Sequence, residues 1–100
     1  MEEGKVIKSR AKYVWIDSFD KENYHRNLFH ALDYVRPGCP VFKIVNGKRK
    51  LICIATEDLI NRFVTDYESH NNLSRQERIK LTNEWAKKYI ESSTDWMFDL

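Results

Sequence analysis

The stretch Val41-Phe42-Lys43-Ile44-Val45-Asn46-Gly47-Lys48-Arg49-Lys50-Leu51-Ile52-Cys53-Ile54-Ala55 decides how this chain is read. Two runs rich in β-branched residues flank a polar, basic centre, which is the pattern of a β-hairpin. Asn46-Gly47 is a favoured pair for a two-residue turn. That register sets Val45 against Lys48 and Ile44 against Arg49, apolar side chains against charged ones. A longer tip pairs Val45 with Leu51 and gathers Phe42, Ile44, Ile52 and Ile54 on one face. Burial of a common face therefore favours the longer, basic tip.

In that register Cys53 faces Lys43, roughly 13 Å along the strand from Cys39 at about 3.3 Å per residue. A disulfide cannot span that distance. With no CxxC or Cys/His repeat in the chain, both thiols are expected free, in a reducing, cytoplasmic compartment.

Upstream of the hairpin, Val6 to Ile16 reads as a strand ending in the β-formers Tyr13-Val14-Trp15-Ile16. Ile7, Ala11, Tyr13 and Trp15 share one parity, and Lys8, Arg10 and Lys12 lead into Val14 and Ile16 on the other. Asp17-Ser18-Phe19-Asp20 reads as a turn into a helix capped by Ser18 or Asp20. That helix, Lys21 to Val35, carries Tyr24, Leu28, Ala31, Leu32 and Val35 on one face. Arg36-Pro37-Gly38 stops it, because Pro37 disfavours helical geometry at Arg36.

Downstream, Thr56-Glu57-Asp58 opens a helix with an apolar stripe of Leu59, Ile60, Phe63, Val64 and Tyr67. Ser74-Arg75-Gln76-Glu77 matches a capping box and starts a third helix running to about Glu91. Its core candidates are Ile79, Leu81, Trp85, Ala86, Tyr89 and Ile90. The tail Asp95-Trp96-Met97-Phe98-Asp99-Leu100 is short, acidic and apolar.

The resulting expectation is one α+β domain over residues 1–100, in the order β-α-β-β-α-α. Its sheet is three-stranded, four-stranded if the tail is a strand, mainly antiparallel and loosely ferredoxin-like. Within it, residues 5–56 form a basic α/β part, 57–92 a helical hairpin and 93–100 the apolar tail. The chain has 100 residues, 42% hydrophobic and 32% charged, with 3 Gly and 2 Pro, too apolar for disorder. Its longest apolar run, Leu51 to Ala55, is far short of the roughly 20 residues that span a bilayer, and no basic-then-apolar leader stands at the start.

The net charge of +2 is unevenly divided. Residues 1–50 hold 11 Lys and Arg against 6 Asp and Glu, and residues 51–100 hold 6 against 9. Attraction between the two halves explains that split, and so does an anionic partner for the first half. A bias toward Lys, Asn, Ile, Tyr and Phe suits an AT-rich coding genome, such as that of a low-GC bacterium, its phages or some viruses.

Catalytic signals are weak. Asp17, Ser18, Asp20 and Glu22 follow a strand, where metal-binding carboxylates often sit, but capping and turn formation account for them. His25 and His30, five apart on the expected helix, point about 140° apart and cannot grip one metal. Cys39 lacks any nucleophile signature, and no glycine-rich phosphate loop exists. No enzyme, cofactor or metal site is expected.

The expected function is therefore non-catalytic: a small interaction protein, regulator or inhibitor that binds a larger protein, of the type that a phage or mobile element encodes. Its anchors are Trp96 and Phe98 with Asp95 and Asp99, since aromatic side chains concentrate at interfaces. The alternative is a nucleic-acid-binding module using a basic sheet edge and hairpin tip, with Lys48, Arg49, Lys50, Arg36, Lys8, Arg10 and Lys12 as phosphate contacts. Tyr13 and Trp15 would stack bases only if exposed. A helix-turn-helix reading with Arg75, Gln76 and Arg78 is disfavoured by a glycine-free turn and an acidic preceding helix.

Overall fold

A computed structural model describes residues 10–91. These residues form an α+β domain of four antiparallel strands and three helices, in the order β1 (Tyr13–Ile16), β2 (Glu22–His25), α1 (Leu28–Tyr34), β3 (Pro40–Val45), β4 (Lys48–Ile54), α2 (Glu57–Ser69) and α3 (Arg75–Glu91). The strands lie side by side as β2-β1-β3-β4. Residues 6–9 of the expected strand and the apolar tail lie outside the described residues; residues 10–12 are described and are not strand, which starts only at Tyr13.

The largest departure from the sequence reading is β2. Lys21 to His25 is not the start of a helix, because the chain reverses at once after β1. The Asp17 carboxylate Oδ1 accepts the backbone N–H groups of Phe19 and Lys21 at 2.9 and 3.0 Å. Asp20 takes a left-handed conformation, φ 62°, which a short polar side chain tolerates. Residues 22–25 then pair with β1, Tyr13 opposite His25 and Ile16 opposite Glu22. The helix begins six or seven residues later than expected, at Leu28, where Asn27 rather than Ser18 or Asp20 caps it by accepting the His30 N–H at 2.9 Å. His25 and His30 consequently stand on different elements.

This placement also changes the topology. A split βαβ unit is present, but it runs β2-α1-β3 with β1 inserted between the two strands. The first arm of the hairpin, β3, pairs with β1, whereas a ferredoxin-like order would put the second arm there. The sheet is four-stranded without the tail.

The hairpin adopts the register that burial arguments disfavoured. Asn46 and Gly47 both have positive φ, 53° and 76°, giving a two-residue turn with Val45 opposite Lys48, Ile44 opposite Arg49 and Phe42 opposite Leu51. Such a turn matches the natural twist of paired strands. A β-bulge then shifts the register: Val41 pairs with Cys53, leaving Ile52 as the extra residue. Ile52 turns into the core at 5% exposure, while Ile54 points to the opposite face at 46%. The two isoleucines expected to share a face are thereby parted. Cys53 faces Val41 rather than Lys43, and Ala55 donates to the Cys39 carbonyl at 2.9 Å. Both cysteines are free thiols.

All three helices pack on one face of the sheet. Tyr13, Trp15, Val41 and Ile52 meet Leu28, Leu32, Leu59, Phe63, Ala86 and Ile90 in a single core. Polar groups inside it are satisfied. The Trp15 indole N–H donates to His25 Nε2 at 3.1 Å, and the His25 ring stacks on Tyr34 at 5.4 Å. Asn23 donates to the carbonyls of Trp15 and Lys21. Asn83 of α3 accepts the Phe29 N–H at the open start of α1, meeting one of the donors that every helix N-terminus leaves unpaired. The expected caps of the later helices are present: Thr56 accepts from Leu59 N–H, and Ser74 and Glu77 bond reciprocally.

Two outcomes follow from the hairpin. An added Cβ at Gly47 would meet nothing within 4 Å, so Gly47→Ala should lower stability by about 1 kcal/mol through backbone strain alone, read from urea denaturation. Burial pushes the Cys53 thiol up to about 11 from an ordinary 9.0. Its contribution to stability is therefore complete below pH 9 and is lost as pH rises toward 11. At pH 8 iodoacetamide should label Cys53 at least about tenfold more slowly in the folded protein than in urea, because the thiolate is the nucleophile.

Candidate functional site: the open sheet face and its basic end

With the helices on one side, the other face of the sheet has no helix over it among the described residues. Strand pairing lays that face out in rows. Tyr24, Val14, Phe42 and Leu51 form one row across all four strands. Ile16 pairs with Glu22, and Pro40 with Ile54, in the next. Ile44 and Arg49 stand on the other side of the first row, toward the hairpin tip. Leu51 and Ile54 are 41% and 46% exposed, and Ile16, Pro40, Phe42 and Ile44 are half-buried.

Val14 lies on this helix-free face yet is 0% exposed. Side chains bond to one another across this face. Arg49, from outer strand β4, donates to the Tyr24 hydroxyl at 2.9 Å and pairs with the Glu22 carboxylate, both on the opposite outer strand. Tyr24 in turn donates to Glu22 at 2.8 Å. The Glu22 carboxylate, then the Tyr24 hydroxyl, hold the Arg49 guanidinium more firmly protonated than usual. An exposed ion pair contributes little stability by itself. Here the pair also ties outer strand β4 to outer strand β2.

The hairpin end of the sheet is basic. Lys48 and Arg49 are exposed and Lys50 is half-buried. Lys50 stands directly opposite Lys43 across the β3–β4 ladder. Lys12 joins the same end, its carbonyl accepting from Ile44 N–H at 2.8 Å, and Arg10 is exposed just before it. Arg36 does not join this group. It precedes β3, at the far end of a six-residue strand, roughly 20 Å from the tip at about 3.3 Å per residue. Lys8 lies outside the described residues, as do the expected partner anchors Asp95, Trp96, Phe98 and Asp99.

Other candidate residues are occupied structurally. Tyr13 and Trp15 are buried in the core and offer no stacking surface. Asp17 serves its turn, and the backbone N–H groups of Lys21 and Phe19 hold its carboxyl below the usual range. Arg78 lies 4.1 Å over the Tyr67 ring and donates to the Tyr67 carbonyl, while Arg75 reaches the Tyr67 hydroxyl. Both arginines thus fasten α3 to α2. Among the described residues no three His, Cys, Asp or Glu side chains gather as a metal site requires. No described helix is long and apolar enough to cross a membrane.

The residues of the open face escaped the sequence reading because they were assigned to the core. Their signal was present: Val41, Phe42, Ile44 and Val45 put apolar side chains on both sides of one strand, more than one buried face can use. Comparison with protein-family models, curated proteins and solved structures returned no match.

Proposed function

We propose that this protein is a non-catalytic binding module that regulates or inhibits a larger protein, holding it against the open face of its sheet. The observation that carries this reading is the row-by-row apolar surface of Ile16, Phe42, Leu51 and Ile54 with no described helix over it. Exposed apolar groups gathered on one face mark sites of association. Helices on the other face supply a rigid support, and the acidic-aromatic residues Asp95, Trp96, Phe98 and Asp99 offer anchors of matching chemistry. A random-peptide library displayed on phage and panned on the folded protein should give binders whose retention falls at least about tenfold in Phe42→Ser and Ile54→Glu. Val64→Glu, on the exposed side of α2, should leave retention unchanged. Binders with the reverse pattern would move the site to the helical layer.

The nucleic-acid alternative is supported by one arrangement, the basic residues Lys12, Lys43, Lys48, Arg49 and Lys50 brought to one end of the sheet. Under it, single-stranded DNA or RNA is retained in a salt-dependent way, and Lys48→Glu with Lys50→Glu abolishes retention at 50 mM salt. Retention unchanged by the double substitution removes this end from the reading.

A further inference from the structure

We propose that β4 recruits an extended, acidic segment of the partner protein as a fifth strand, with the partner's carboxylates against Lys48 and Lys50 and its apolar residues against Leu51 to Ile54. This rests on the protein-binding reading proposed above and adds an edge contact beside the open face, since strand pairing sets Lys50 in the row of Lys43 and the buried Tyr13, on the helix side of the sheet.

Three features of β4 converge on this mode. Among the described residues it is the last strand of the sheet, so alternate backbone N–H and C=O groups along it point outward and form a template for another strand. It is also the longer edge, seven residues against four for β2, or about 20 Å of strand. Finally, its charge is divided along its length. Lys48-Arg49-Lys50 occupies one end, and the apolar run from Leu51 to Ile54 the other.

Charge selects the occupant. Arg49 is engaged by Glu22, whereas among the described residues neither Lys48 nor Lys50 forms an ion pair. A carboxylate arriving on the outer side of β4 would pair with these two lysines. A second copy of this chain fits poorly. Parallel pairing of two β4 edges sets lysine against lysine, and antiparallel pairing sets Lys48 and Lys50 against the apolar end. Basic residues on an edge commonly prevent strands from pairing indiscriminately. Here they cover half of the edge, which turns a general block into discrimination by charge.

The test uses the full-length protein and the fluorescein-labelled peptide Ile-Thr-Val-Thr-Glu-Glu-Glu, written for antiparallel pairing, with a Lys-Lys-Lys counterpart. By fluorescence polarisation at low salt the glutamate peptide should bind at least about tenfold more tightly. In Lys48→Glu with Lys50→Glu the preference should invert, a gain of binding that misfolding cannot produce. N-methylation of alternate peptide nitrogens keeps every side chain but removes backbone donors, and should abolish binding. NMR amide shifts should centre on Arg49 and Leu51. Equal binding of the N-methylated peptide, equal binding of both charges, or a dT12 oligonucleotide displacing the glutamate peptide with the same lysine dependence would each overturn the proposal. If library binders still depend on Phe42 and Ile54 while the glutamate peptide fails, strand addition is refuted and the open-face reading stands.

Discussion

The two-residue turn at Asn46-Gly47 sets the register on which the rest of the sheet depends. Once Val45 is closed against Lys48, every pairing along the hairpin is determined, including those that leave Leu51 facing solvent. An unbroken ladder would then oppose Val41 to Ile52, and each later residue of β4 would follow. The bulge inserts one residue at that point, so Cys53 rather than Ile52 opposes Val41, and Ile54 emerges on the far side while Ile52 stays against the helices. Turn chemistry and core filling are both satisfied. The outcome is a face that is apolar without being core.

How far the sequence was legible depended on where the chemistry was local. The helical hairpin was readable because Thr56, and Ser74 with Glu77, declare helix starts within three or four residues. The α+β class and the existence of the β3–β4 hairpin followed from composition and alternation. β2 was not legible, since its inward side chains are Asn23 and His25. Their burial depends on Trp15, eight and ten positions away, and no hydrophobic period announces a strand with a polar interior. The candidate site was hidden for a related reason: the side on which Ile54 faces out was settled by a bulge, and a bulge leaves only a faint trace in sequence.

The same polar interior gives the first half of the fold its specificity. Asn23 and His25 can enter the core only in the register that meets Trp15, because a buried polar group without a partner is costly. A slip of one residue would exchange them for Glu22 and Tyr24 and undo the Arg49 contact as well. Apolar contacts supply most of the driving force for folding. These few hydrogen bonds fix which of several possible pairings that force produces.

Arg49, lying diagonally from one outer strand to Tyr24 and Glu22 on the other, also gives the open face a direction. On one side of that diagonal are Phe42, Leu51, Ile16 and Ile54; on the other are Ile44 and Lys12. A sheet face without such a divider would look much the same after half a turn about its normal, and a body settling on it could do so in either of two orientations. Here half a turn exchanges grease for charge. The fold therefore carries an arrow as well as a surface, and whatever lies against it must arrive facing one way.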